Sequence, residues 1–178
     1  MTLLNRFLEQ HEQTYVFDTS TLILLFEKCG LVDAFAKFTQ KNKLLVPSRV
    51  MEEFFAGKNA EHHRLAFQNC FTALNVDLAD ELLPYFNFDS TSGEIWVISY
   101  ALKNPSCICV IDERFASSVC LAFSVTTIGA IGIIEEMKKE GILSPCDLQG
   151  IRDKIRNSRF YLSKILCDEL DRICLDHK

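Results

Sequence analysis

No apolar run in this chain is long enough to cross a bilayer, so a transmembrane helix is excluded. The opening, MTLLNRFLEQHEQ, has too short an apolar stretch for a secretory signal and no small-residue cleavage site, which makes a reducing cytoplasm the expected location. Internal repeats, low-complexity tracts and linkers are missing too, which argues for one domain over residues 1–178. Nor is there an excess of positive charge: 19 Lys and Arg against 24 Asp and Glu leave a net charge of -5. Without a basic arm, a nucleic-acid substrate would have to be met by a local basic patch or a bridging metal ion, because bare carboxylates repel phosphate. Zinc-site spacing is absent as well. The eight cysteines include one close pair, Cys107 and Cys109, separated by a single residue, and no second pair completes a site. Most cysteines lie in apolar runs such as CICVI and SVCLAF, where the residue serves as a small buried hydrophobe.

What is present is 48% apolar composition over 178 residues, enough to close one well-filled core. After an amphipathic lead-in helix over about 1–13, TYVF reads as a buried parallel strand that stops at Asp18. TSTLILLFEKCG and LVDAFAKFTQK read as helices, KLLVP as a strand ending at Pro47, and SRVMEEFFAG as a helix capped by Ser48 with Glu52 and Glu53 in its first turns. AEHHRLAFQNCFTAL is expected to be helical, with a loop-rich stretch after it. TSGEIWVISYALKN predicts a helix from near Ser92, and SCICVID is the clearest strand, ending at Asp112. The helix ERFASSVCLAF, the short strand SVTT and the helix GAIGIIEEMKKEG follow, with a helical tail over about 145–178. This alternation predicts an α/β fold, doubly wound on a mostly parallel sheet.

In such sheets ligands bind beyond the carboxyl ends of the strands. Asp18 and Asp112 each directly follow an apolar strand, while Glu53 and Glu94 lie close to helix starts facing the same edge. Carboxylates converging without a Lys or Arg among them repel one another, and protonation or a cation relieves that repulsion. A hard divalent ion held by such oxygens could serve phosphodiester cleavage. Each acid also has a plainer reading: Asp18 as a helix N-cap, Glu53 and Glu94 as charges favourable near a helix start, and Asp112 as part of an ordinary strand-to-helix turn. Aspartyl-nucleophile phosphatase chemistry is disfavoured, because Ser20 stands where a second aspartate would serve as acid and base. His62 and His63 are adjacent on an expected helix and read as surface or partner contacts.

Four segments, VFDTSTLI, VPSRVMEEF, SGEIWVISYA and CVIDERFA, resemble in order and spacing the motifs of a PIN domain, more narrowly of the VapC-like branch of prokaryotic PIN proteins. GAIGIIEEMKKEGIL and RFYLSKILCDEL resemble its helical end. The resemblance implies a three-layer α/β/α sandwich and metal-binding, catalytic roles for Asp18, Glu53, Glu94 and Asp112. Glu113 is an alternate or additional ligand, and Thr19 or Ser20 a supporting hydroxyl near Asp18. It further implies a magnesium- or manganese-dependent endoribonuclease acting on RNA, the toxin half of a toxin–antitoxin pair neutralised by a small antitoxin protein and often a homodimer. The apolar faces of the second and final helices are candidates for such an interface. Arg49, Lys58, Arg64 and Arg114 are candidate phosphate contacts, with solvated surface as the plainer reading. Two departures stand out: Trp96 where many relatives carry an acid, and Gly129-Ala130 where they carry Gly-Thr. These departures motivate the alternative of a catalytically weak PIN scaffold that binds protein or RNA.

Overall fold

A computed structural model describes residues 13–57, 60–87, 89–157 and 164–175. The expected lead-in helix falls outside them. Strand β1 (Thr14–Phe17) runs into helix α1 (Thr19–Leu22), which continues as a π-helical stretch over Ile23–Lys28. Gly30, with φ +67, ends that helix, and Lys154 Nζ donates to the Cys29 carbonyl at 2.7 Å. A positive φ suits glycine, and an ammonium suits a helix carboxyl end. Next come α2 (Val32–Phe38), β2 (Lys43–Pro47), α3 (Ser48–Phe55), a 3-10 turn (Ala60–His63), α4 (Arg64–Cys70) and β3 (Thr72–Leu74). After a second 3-10 turn (Asp80–Leu82) the chain forms α5 (Gly93–Lys103), β4 (Cys107–Val110), α6 (Arg114–Ala122), β5 (Thr127–Ile128), α7 (Ala130–Lys139), α8 (Pro145–Asn157) and α9 (Lys164–Leu175).

The strands form one sheet in the order β3-β2-β1-β4-β5, and every described pairing is parallel. With helices flanking the sheet, this is the α/β fold that the alternation predicted and the PIN-like three-layer sandwich that the resemblance implied. Buried parallel strands need apolar residues on both faces, and Tyr15, Val16, Phe17, Leu44, Leu45, Val46, Cys109 and Val110 supply them. To one side of β1 a cluster of phenylalanines closes the core. Phe26 meets Phe35, Phe54, Phe67 and Phe71 at centroid distances of 5.7 to 6.4 Å, and Phe17 meets Phe71 edge-on at 5.3 Å. Edge-to-face pairs of this kind add roughly 0.5–1.5 kcal/mol each beyond their buried area.

Several sequence expectations change. The FTAL segment is not the end of a helix: Thr72–Leu74 pairs with β2 as the sheet's edge strand, because Phe71 turns extended to bury its ring against Phe17. Ser48 does not cap α3. Pro47 holds the N-cap position, and the Ser48 hydroxyl donates to the Leu74 carbonyl at 2.9 Å, tying α3 to β3. Glu52 and Glu53 accordingly sit in the second turn of α3, beyond the reach of its N-terminal dipole. His62 and His63 lie on the 3-10 turn, with the His63 ring edge-on to Phe26 at 5.7 Å. Six of the eight cysteines are buried and all are free, so they serve as core hydrophobes. No helix among the described residues is long and apolar enough to cross a membrane.

Candidate active site

The chain winds from β1 outward through β2 to β3, then returns to place β4 on the other flank of β1. Strand order therefore reverses between β1 and β4, and the crevice at their carboxyl ends is the place where such sheets hold ligands. Asp18 and Asp112 flank it. Phe17 is in register with Val110, and the Asp18 N–H extends the ladder by donating to the Val110 carbonyl at 3.2 Å.

Asp18 is fully buried and its carboxylate is held from three directions. Oδ1 accepts from the Thr21 N–H at 2.8 Å and from the Thr21 hydroxyl, and Oδ2 accepts from the Ser20 hydroxyl at 2.9 Å. The N-cap reading of this residue is thus realised as well. Burial outweighs these hydrogen bonds and, with the Asp112 charge adding to it, pushes the Asp18 carboxyl up to about 7. Asp112 is raised for the same reason, desolvation, against the opposing bond from the Ala130 N–H to Oδ1 at 2.9 Å. Its Oδ2 is buried with no hydrogen-bond partner. An unpartnered buried carboxylate oxygen is costly, and here it lies beside a second buried acid.

Gly129 makes this arrangement possible. A Cβ at that position would stand 2.5 Å from Asp112 Oδ1, so only glycine lets the carboxylate reach the start of α7. Favourable N–H groups and the helix dipole meet the acid there. The Gly129-Ala130 departure therefore keeps the backbone donor and drops only a side-chain hydroxyl.

Glu53 and Glu94 come to the same edge from two helices. The Thr19 hydroxyl donates to Glu53 Oε2 at 2.6 Å, and a Cβ on Gly93 would lie 3.1 Å from both of those atoms. Gly93 thus allows the start of α5 to close against α3 and α1. Glu94, half-buried in the first turn of α5, accepts from the Ser92 hydroxyl. Asp18 feels the charge of Asp112, and close contacts join its chain neighbour Thr19 to Glu53 and the α5 start. Glu113 is exposed, and its Oε2 accepts from the Ala116 N–H at 2.6 Å as the N-cap of α6. Among the described residues, no three His, Cys, Asp or Glu side chains converge closely enough to hold a metal ion. The acids share one edge but stand as an aspartate pair, one buried and one half-buried, with two flanking glutamates, rather than as one ready cluster.

Of the supporting hydroxyls, Ser20 sits on Asp18, whereas Thr19 sits on Glu53. Thr21, which contributes more to Asp18 than either, was not singled out from the sequence; the D-x-x-T spacing of an N-cap and its third helical residue was the available signal. Gly93 and Gly129 carried no sequence signal for their roles. Arg49 and Arg114 are exposed, and Lys58 lies outside the described residues. Arg64 is bound bidentately to Glu61 at 2.6 and 2.7 Å and lies 4.2 Å over the Phe55 ring, so its guanidinium is already engaged.

The family model described as the PIN domain matches residues 14–173, from the first strand through the last helix. The chain belongs to the PIN domain family. No curated protein matches it. PIN domains are generally nucleases, and their nuclease members generally use divalent metals. The donor set at the aspartate pair fits such an ion: all oxygen, from two carboxyl groups, with one buried carboxylate oxygen uncommitted.

Proposed function

We propose that this PIN domain is a magnesium- or manganese-dependent endoribonuclease, with Asp18, Glu53, Glu94 and Asp112 as its catalytic acids. The observation that carries the reading is the bare Asp112 Oδ2, buried beside Asp18 at the switch point of the sheet. Asp112 and Asp18 would hold the ion, with Glu94 joining by turning away from Ser92. Asp112, rather than Glu113, is the ligand of its motif, because Glu113 is committed to the α6 cap. A divalent ion there would neutralise phosphate charge and make water a better nucleophile. Asp112 is held in place by the Ala130 N–H and by the absence of a side chain at Gly129. Asp18 is fixed by Ser20 and Thr21, and must release its proton to act as a ligand. Glu53, oriented by the Thr19 hydroxyl, stands at the rim to accept a proton or position water. In keeping with the VapC-like motifs, the cellular role would be a cytoplasmic toxin restrained by a small antitoxin protein, acting as a homodimer.

Structured and single-stranded RNAs incubated with purified protein in magnesium or manganese should be cut, whereas Asp18→Asn and Asp112→Asn should cut neither. Equal cleavage by the variants and the wild type would remove the assignment. One observation favours a second reading, a catalytically weak scaffold: both Asp18 oxygens already accept hydrogen bonds, and burial holds its proton to about pH 7. Calorimetry with either metal separates the two, since a scaffold would bind no divalent ion and cut nothing while a protein partner co-purified. A neighbouring small reading frame with a DNA-binding domain would support the antitoxin.

A further inference from the structure

Beside the acidic edge, between the start of α3 and the end of β3, lies a cavity of about 200 Å³. Its apolar walls come from Pro47, Leu74, Val76 and the Trp96 ring, and its polar rim from Arg49, Glu52 and Asn75. It shares both of its helices with the candidate active site: α3 carries Arg49 and Glu52 beside Glu53, and α5 carries Trp96 two residues after Glu94. Drug-sized ligands occupy roughly 300–1,000 Å³, so this cavity suits something smaller and planar.

We propose that this cavity is a nucleobase subsite, with Trp96 as the stacking surface for one unpaired base of the RNA cut at the neighbouring acids. This assignment rests on the ribonuclease reading, because it takes the ligand from that substrate. Three observations carry it. The Trp96 indole N–H donates to the Ser90 carbonyl at 2.8 Å, so the ring is pinned in place rather than free to collapse into the cavity. The lining charge cancels: Arg49 lies 3.2 Å from Glu52, which makes the cavity a poor host for phosphate and a suitable one for a neutral ring. The rim still offers hydrogen bonds to a base edge. Asn75 Oδ1 lies 3.0 Å from the Ser48 hydroxyl, whose one proton it shares with the Leu74 carbonyl, so the Asn75 amide keeps hydrogen-bonding groups to offer a base edge. Glu52 can accept from an exocyclic amine, and the Arg49 guanidinium retains further donors. Aromatic stacking with hydrogen bonding to exposed base edges is how single-stranded RNA is read, whereas a base within a duplex cannot enter such a cavity.

Trp96 is the chain's single tryptophan, so its emission reports on this cavity alone. A cleavage-resistant 2′-O-methyl hexacytidylate, titrated in chelator, should quench that emission, and its duplex with a complementary strand should not. By fluorescence anisotropy of the labelled oligonucleotide, Trp96→Ala should bind about tenfold more weakly. Trp96→Phe should retain binding within about threefold, because it keeps a stacking ring. Thermal melts by circular dichroism establish that each variant is folded, and Arg49→Ala, an exposed change, should weaken binding on an intact core. The proposal is overturned if the oligonucleotide binds without changing Trp96 emission, if it does not bind at all, or if a folded Trp96→Ala binds as the wild type does. Failure of the ribonuclease reading looks different. Quenching without cleavage by the wild type would leave the subsite standing, whereas cleavage with no quenching and an indifferent Trp96→Ala would remove the subsite alone.

Discussion

Burial makes Asp18 a pH-sensitive feature of the protein. Its carboxyl is pushed from the ordinary 3.8 up to about 7, chiefly by desolvation, so the folded state holds this proton where the unfolded chain has released it. Between about pH 4 and pH 7 the unfolded state therefore binds fewer protons than the folded one, and stability falls as pH rises through that window. Each pH unit between the two values is worth about 1.4 kcal/mol, so ionising Asp18 without a cation costs the fold about 4 kcal/mol. That is a large part of the roughly 5–15 kcal/mol that holds a typical domain together. Asp18→Asn keeps an oxygen to cap α1 and removes the titration. Urea unfolding in chelator, compared between the two proteins, isolates this group from the other acids. The advantage of Asp18→Asn should widen by about 3 kcal/mol from pH 5 to pH 8. Magnesium at pH 8 should narrow that advantage by stabilising only the wild type, by about 2.7 kcal/mol at a hundredfold excess over the dissociation constant. An Asp18→Asn advantage that does not change with pH would refute the reasoning.

Three further outcomes test how the site is held. Gly129→Ala places a methyl group 2.5 Å from Asp112 Oδ1; displacing that carboxylate should cost about 1–3 kcal/mol in urea unfolding and lower RNA cleavage sharply. Unchanged cleavage would mean that Asp112 is not held for function. Glu113→Ala removes the α6 cap and should cost about 1 kcal/mol of stability while metal affinity by calorimetry stays at the wild-type value; a large drop in affinity would restore Glu113 as a ligand. Thr19→Val removes the hydroxyl 2.6 Å from Glu53. Cleavage should fall severalfold with about 1 kcal/mol of stability lost, and an unchanged rate would place Glu53 outside the chemistry.

The strand-borne half of the site was legible because burial writes it into the sequence. TYVF and CICV must be apolar on both faces to lie inside a parallel sheet, so the first acid after each marks a carboxyl end, and Asp18 and Asp112 follow directly. Their adjacency was a condition on topology, met when β4 paired with β1 instead of with β3. The FTAL segment was misread because Thr72–Leu74 is a three-residue edge strand, too short to interrupt a helical pattern, and its identity depends on Phe71 finding the aromatic cluster.

The helix-borne half could not be derived in the same way. Glu53 lies in the second turn of α3, where neither cap chemistry nor the helix dipole marks an acid out, and family resemblance singled it out more than its position did. What brings it to the aspartates is a close approach of three elements that sequence periodicity does not encode. Gly93 has no side chain to hold α5 away, and Thr19 places its hydroxyl between the aspartate strand and the glutamate helix. Thr19 follows Asp18 directly in the chain yet hydrogen-bonds to Glu53, so any shift of the first strand's end is transmitted to the second motif through one hydroxyl. That coupling ties two carboxylate groups together through a neutral bridge, which keeps Glu53 at the edge of Asp18 without forcing their charges together.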